Sequence, residues 1–154
     1  MRVKVTAIVV QDGRLLVARD RHRGVDRLML PGGRVQERES IAHALVRGVA
    51  ETAKIDVDPV KLLYMAEIPG LYAAYDLNLV WLAEPADPQT VLPESSLIEL
   101  GAELEVPLDP PILDEIAADA EDGWTNNPRW LGNSAVARRP RPGIITRARR
   151  ITAG

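Results

Sequence analysis

The chain has 154 residues, with 19 Lys and Arg against 22 Asp and Glu and a formal net charge of −3. A hydrophobic content of 46% over that length is typical of one folded domain, and it excludes disorder, collagen and coiled coil as descriptions of the whole chain. No stretch approaches the roughly 20 apolar residues of a membrane-spanning helix. The N-terminus is also unlike a signal peptide, so we expect a cytoplasmic protein. Because the chain has no cysteine and only two histidines, any metal would be a hard cation held by oxygen ligands, such as Mg²⁺ or Mn²⁺.

The first third of the chain is predicted to be β-structure. Charged and apolar residues alternate with the period of two that is typical of a strand. Asp12-Gly13 between apolar runs predicts a tight hairpin turn. The predicted elements are a strand over 2–10, a return strand over 15–18, a charged loop over 19–27 and a short buried strand over 28–30, which ends at Pro31-Gly32-Gly33.

A helix is predicted over 40–53, with Ser40 as its N-cap and Glu39 at the positive end of the helix dipole. Its apolar residues fall on one broad arc, which should face the core. His43 lies on the opposite side, so we expect it to be exposed and inert.

The second half of the chain predicts strands over 60–68 and 71–83, followed by a proline-rich loop over 84–96. An acidic strand or loop over 97–106 comes next, and then a helix over 109–122 that begins with Asp109 as its cap. Residues 124–132 have no clear period. Strands on both sides of a central helix, with a second helix late in the chain, predict an α/β (α+β) fold with a mixed sheet sandwiched between helices.

The last 17 residues differ in charge from the rest of the chain. They contain six arginines and no acid, so residues 1–137 carry a formal charge of −9. We therefore divide the chain into a single domain over 1–137 and a basic, arginine-rich tail over 138–154 that docks on the acidic domain or stays solvated. A nucleic-acid partner is disfavoured, because the charge of the domain would oppose binding.

The most informative segment runs from Leu30 to Ile55. Its glycine pair supplies a backbone that can approach an ion or a phosphate closely. Gly33 is followed after five residues by Glu39, after seven more by Arg47, and then by Glu51. These intervals resemble the Nudix box, and the chain resembles the Nudix hydrolase family, with a Nudix-like fold.

The resemblance implies hydrolysis of a pyrophosphate bond in a nucleoside diphosphate derivative, with Mg²⁺ or Mn²⁺ as cofactor. It makes Glu39, Arg47 and Glu51 the catalytic residues and Gly32 and Gly33 the substrate-binding ones. Glu51 and the carbonyl of Gly32 would be the metal ligands. The water-activating base would come from a later acidic residue, for which the candidates are Glu94, Glu99, Glu103 and Glu105.

The box is degenerate at three positions. Gly48 and Thr52 stand where the family has glutamates that bind the metal, and Lys54 replaces a glycine. We therefore expect weak metal binding and a weakened hydrolase, and we expect Gly48→Glu with Thr52→Glu to rebuild the metal face. The alternative is a catalytically inactive Nudix-fold module that binds a nucleotide or a protein, and a nucleic-acid-associated protein is a third candidate. We expect a small-molecule nucleotide as substrate or ligand and no membrane partner. A homodimer is possible.

Overall fold

The computed structural model describes residues 1–69 and 74–133. It contains two helices, α1 (Ile41–Ala53) and α2 (Leu113–Glu121). None of the helices in these two ranges is both long and apolar enough to cross a membrane. The strands are β1 (Arg2–Ile8), β2 (Val10–Gln11), β3 (Arg14–Leu16), β4 (Ala18–His22), β5 (Val25–Met29), β6 (Gly32–Arg34), β7 (Val57–Pro69), β8 (Tyr75–Pro85), β9 (Leu97–Glu99), β10 (Leu108–Asp109) and β11 (Arg129–Asn133).

A five-stranded mixed sheet forms the centre of the fold, in the order β11-β7-β8-β1-β6. Strand β1 pairs in parallel with β8 and antiparallel with β6, and β7 and β8 form a long antiparallel pair. Two smaller sheets, β10-β5-β4 and β2-β3-β9, complete the β-structure of the described ranges.

Successive side chains of a strand point to opposite faces of the sheet. Both faces of the central sheet therefore carry apolar side chains, and a helix packs on each face. Leu45 and Val49 of α1 lie in one hydrophobic cluster with Val5 of β1. Ile116 of α2 lies in a second cluster with Val80 of β8. The predicted mixed sheet between helices is confirmed.

Several local predictions are confirmed as well. Asp12 and Gly13 both adopt positive φ, at 54° and 74°, and they join β2 to β3. Helix α1 begins after Ser40, whose hydroxyl accepts a hydrogen bond from the backbone N–H of His43 at 3.1 Å. The side chain of His43 is exposed, as expected.

The predicted loop over 19–27 is wrong. This segment forms the antiparallel hairpin of β4 and β5, which turns at Arg23 and Gly24 with φ values of 52° and 76°. Charged side chains pair across it, with Arg27 bonded to Asp20 at 2.7 Å. The composition suggested a loop, but cross-strand ion pairs allow a charged sequence to form a solvent-facing hairpin.

The predicted start of the second helix is also wrong. Asp109 lies in β10, where it is the register partner of Met29, so it cannot cap a helix. Helix α2 begins four residues later, and no side chain caps its N-terminus. The segment without a clear period contains β11, which pairs in parallel with β7. The arginine-rich tail over 138–154 lies outside the described residues.

Candidate functional site

The glycine turn of the box is fixed by its contact with the central sheet. In β6, Gly32 and Gly33 are the register partners of Thr6 and Val5 in β1. A Cβ on Gly32 would lie 2.1 Å from the carbonyl oxygen of Val5, which no side chain can do without moving the backbone. Gly33 has room for a Cβ, since the nearest atom would be 3.6 Å away. Only the first glycine is therefore required by close packing.

Arg47 is the centre of the polar network beside this turn. Its Nε and one Nη bond the two carboxylate oxygens of Glu39, at 2.6 Å and 2.9 Å. The same Nη donates to the carbonyl oxygen of Arg34 at 2.7 Å, and the other Nη donates to Glu51 at 2.7 Å. The structure thus brings together all three residues predicted to be catalytic, although their catalytic roles stay predictions.

The two carboxylates of this network lie in different environments. The side chain of Glu39 is 6% exposed, whereas that of Glu51 is 63% exposed. The hydrogen bond from Arg47, followed by the bond from the backbone N–H of Gln36, lowers the pKa of Glu39 to about 2. The hydrogen bonds that Arg47 donates to Glu39, which outweigh the opposing effect of burial, raise the pKa of Arg47. Glu39 and Arg47 are therefore both charged near neutral pH, and the pair braces the segment before α1.

The box face of α1 lies directly against the glycine turn. A Cβ on Gly48 would be 2.6 Å from the carbonyl carbon of Gly32 and 2.7 Å from the nitrogen of Gly33. The hydroxyl of Thr52 accepts a hydrogen bond from the N–H of Gly32 at 3.2 Å and donates one to the carbonyl of Gly48 at 2.7 Å. Helix and turn are thus in backbone contact at the positions where the family has metal-binding glutamates.

The residues at this face do not fit a preformed magnesium centre. Position 48 has no side chain, the hydroxyl of Thr52 is occupied by two backbone groups, and the one remaining carboxylate, Glu51, is bonded to Arg47. Throughout residues 1–69 and 74–133, no three His, Asp or Glu side chains are grouped so that they could hold a metal ion. A magnesium site built by protein normally uses at least one or two carboxylates free to ligate.

The expected repair of the metal face is also incompatible with this packing. Gly48→Glu would place a Cβ inside the turn, against backbone atoms that cannot rotate away. We therefore expect that double variant to separate the helix from the turn. The assignment of Glu51 and Gly32 as metal ligands stays a prediction without support from the geometry.

Two arginines that the sequence reasoning missed flank the network. Arg34 and Arg38 are exposed, and neither guanidinium has an ion-pair partner within the described part of the chain. Arg47 binds the carbonyl of Arg34, at the end of β6, and the side chain of Glu39, so it holds both ends of the short loop that carries Arg38. Their position inside the box, as the first and last of the five residues between Gly33 and Glu39, was the available signal.

A cavity of about 550 Å³ lies beside the strand that leads into the turn. It is lined by residues 25–28 of β5, by residues 105–109 and by Pro111. Leu28 and Gly32 are four residues apart, so their Cα atoms are separated by at most about 14 Å. The volume falls in the usual range for small-molecule sites, roughly 300–1,000 Å³.

The candidates for a general base are spread over different environments. Glu94 is paired with Arg14, and Glu105 lines the cavity beside β5. Glu103 lies in a smaller neighbouring cleft with Arg19. Glu99, the last residue of β9, is the register partner of Arg14 in β3. No choice among these four follows from the geometry.

Comparison with solved structures shows which class of protein has this architecture. The Escherichia coli ORF135 protein matches with a TM-score of 0.63 and 22% identity, over 79% of this chain and 92% of that one. A MutT Nudix hydrolase from Burkholderia pseudomallei matches with a TM-score of 0.54 and 27% identity, over 70% and 88%. An ADP-ribose pyrophosphatase from Streptococcus suis matches with a TM-score of 0.56 and 16% identity, over 86% and 97%. A UDP-X diphosphatase matches with a TM-score of 0.64 and 15% identity, over 84% and 66%.

The chain therefore has the fold of the Nudix hydrolases, and the resemblance drawn from the box is confirmed. No protein-family model matches the sequence, and a search of curated proteins finds no match either.

Proposed function

We propose that this chain is a Nudix-fold protein that binds a nucleoside diphosphate derivative and does not hydrolyse it efficiently. The observation that carries the proposal is the box face of α1, where the one remaining carboxylate, that of Glu51, is bonded to Arg47. The helix face has Arg47 but has Gly48 and Thr52 in place of two glutamates, so it is consistent with a site that binds a pyrophosphate without cleaving it.

The charge around the turn supports a phosphate-bearing ligand. Arg34 and Arg38 are exposed, and they have no ion-pair partner in the described ranges. A guanidinium binds phosphate oxygens through charge-assisted hydrogen bonds, often two at a time. In this proposal the two arginines neutralise the diphosphate, while Glu39 and Arg47 hold the backbone of their loop.

The cavity beside β5 supports a nucleoside at the other end of the ligand. Its wall is largely apolar, with Val25, Leu28 and Val106, and it also carries the acids Asp26 and Asp109. Apolar side chains would cover a base, and carboxylate oxygens would accept hydrogen bonds from ribose hydroxyls or an amino group. Two of the structural neighbours are named for ADP-ribose and UDP-X, and this class of compound is the one we propose.

Hydrolysis of the pyrophosphate bond is the second candidate function. The network of Glu39, Arg47 and Glu51 and the glycine turn retain the spacing of the box. Removing one supporting group from a metal site typically lowers affinity or activity about 10–100-fold. Because two glutamates are replaced here, we expect any hydrolysis to be slower by at least that factor than in a complete box.

Isothermal titration with ADP-ribose and UDP-glucose, in EDTA and then in Mg²⁺, tests the proposal. We expect binding in EDTA and no products by chromatography after incubation with Mg²⁺. Arg34→Ala and Arg38→Ala should each weaken binding about 10- to 150-fold, because a charge-assisted hydrogen bond contributes roughly 1.5–3 kcal/mol. Arg23→Ala is the matched control, since it removes an exposed arginine at the tip of the β4–β5 hairpin.

Two results would refute the proposal. Turnover that requires Mg²⁺ and disappears in Glu51→Gln would establish the hydrolase instead. Equal binding by Arg34→Ala, Arg38→Ala and Arg23→Ala would show that the arginines beside the turn do not contact the phosphates.

A further inference from the structure

We propose that Gly48 and Thr52 fasten the glycine turn to α1 directly, so that the turn is held in place without a metal ion. We call this arrangement, formed by Gly32, Gly33, Gly48 and Thr52, the turn–helix latch. It concerns the free protein and does not depend on the ligand proposed above.

The first part of the latch is a backbone contact. At Gly48 the helix approaches so closely that a Cβ would lie 2.6 Å from the carbonyl carbon of Gly32 and 3.0 Å from its oxygen. Gly48 is buried in the middle of α1, although glycine there lowers intrinsic helix stability relative to alanine. The close approach to the turn therefore explains why glycine occupies position 48, although its helix propensity is low.

The second part of the latch is the hydroxyl of Thr52. It accepts from the N–H of Gly32 at 3.2 Å and donates to the carbonyl of Gly48 at 2.7 Å, so it links the turn to the helix through one atom. A threonine hydroxyl has one proton and two lone pairs, which suits this double role. Glutamate at this position would be ionised near neutral pH, and it would then accept from Gly32 without donating to Gly48.

The two substitutions in the box are therefore complementary. The absent side chain at 48 lets the turn reach the helix, and the hydroxyl at 52 accepts a hydrogen bond from the amide of the turn residue Gly32. A complete set of glutamates would instead present like charges to one another and would need a cation between turn and helix. In this chain Gly48 and Thr52 already hold the turn against α1, so Mg²⁺ is not needed to bridge the turn and the helix.

The latch is tested on the free protein by hydrogen exchange of backbone amides, followed by NMR. The probe is the Gly32 amide, and the reference is the Val35 amide, which donates to the carbonyl of Val3 in β1. Thr52→Val keeps the shape of the side chain and removes the hydroxyl. We expect it to raise the exchange of Gly32 relative to Val35 about five- to tenfold, the effect of losing one ordinary hydrogen bond.

Two variants separate the latch from general stability. Thr52→Ser retains the hydroxyl and should restore the slow exchange of Gly32. Ser40→Ala removes the N-cap of α1, so it should lower the melting temperature while leaving the exchange ratio of Gly32 to Val35 unchanged. In the unmodified protein, Mg²⁺ alone should change neither the melting temperature nor the exchange of Gly32.

The proposal is overturned if Mg²⁺ raises the melting temperature or slows the exchange of Gly32 in the unmodified protein. It is equally overturned if Thr52→Val exchanges Gly32 as slowly as the unmodified protein. Neither measurement uses a nucleotide, so failure of the latch and failure of ligand binding give different results.

Discussion

Gly48→Ala provides a quantitative test of the contact between α1 and the glycine turn. On an exposed helix surface, this substitution gains up to about 1 kcal/mol of helix propensity. Here the new Cβ would lie 2.6 Å from the carbonyl carbon of Gly32, where ordinary contact begins at 3.4 Å. Helix and turn must then separate by about 0.8 Å, and overpacking of this kind typically costs about 1–3 kcal/mol. We expect a net loss of about 1–2 kcal/mol, since the turn is also paired to β1 and cannot move freely.

The free energy of unfolding is measured from urea denaturation, with melting temperature as a second readout. A loss of this size lowers the melting temperature by about 2–8 °C in a domain of this length. Ala42→Gly, at an exposed position of the same helix, is the control, because it reports the propensity difference alone. If Gly48→Ala is instead stabilised by as much as Ala42→Gly is destabilised, the helix does not touch the turn.

Four further substitutions give distinct outcomes. Because the folded pKa of Glu39 is about 2 and its ordinary value is 4.5, its charge stabilises the fold above pH 4.5, and this contribution is lost as the pH falls toward 2. Glu39→Gln should make the urea midpoint less dependent on pH between about 2 and 4.5. If the pH dependence stays the same, the charge of Glu39 does not stabilise the fold through Arg47. Gly32→Ala should yield little folded protein by circular dichroism, whereas Gly33→Ala should fold; equal behaviour would refute the close packing on β1. Asp119→Ala should lower the free energy of unfolding by about 1.5–3 kcal/mol, the usual contribution of hydrogen bonds to a charged group, because the 38% exposed side chain of Arg129 stays partly solvated when it loses its partner; a loss below about 1 kcal/mol would exclude that role.

The elements that the sequence predicts best are those with a local physical cause. The Asp12-Gly13 turn and the Ser40 cap depend on neighbouring residues, so they can be predicted without the rest of the fold. The charged segment from 19 to 27 was misjudged because its strands are stabilised by pairing with each other across the hairpin. The prediction for Asp109 is wrong for a different reason, since its backbone pairs with β5, about 80 residues earlier in the chain.

The site shows the same division between local and distant causes. The spacing in the box predicts that Arg47 and Glu51 meet, because a helix places residues four apart on one side. It does not predict that Gly48 touches Gly32, since that distance depends on how β6 lies on β1. From the sequence, Gly48 and Thr52 read as lost ligands. In the fold they are contact residues, and that difference decides how the box is interpreted.

The sandwich arrangement also distributes the three tryptophans of the chain usefully. Trp81 packs against the core under α1, Trp124 packs against the core under α2, and Trp130 on the edge strand β11 is 53% exposed. Indole emission shifts to longer wavelength as water reaches the ring, so each position reports a different part of the molecule. Variants that retain a single tryptophan would therefore give separate optical signals for the two sides of the sheet. With these variants, unfolding followed by fluorescence would show whether water reaches the core under α1 before or after the core under α2.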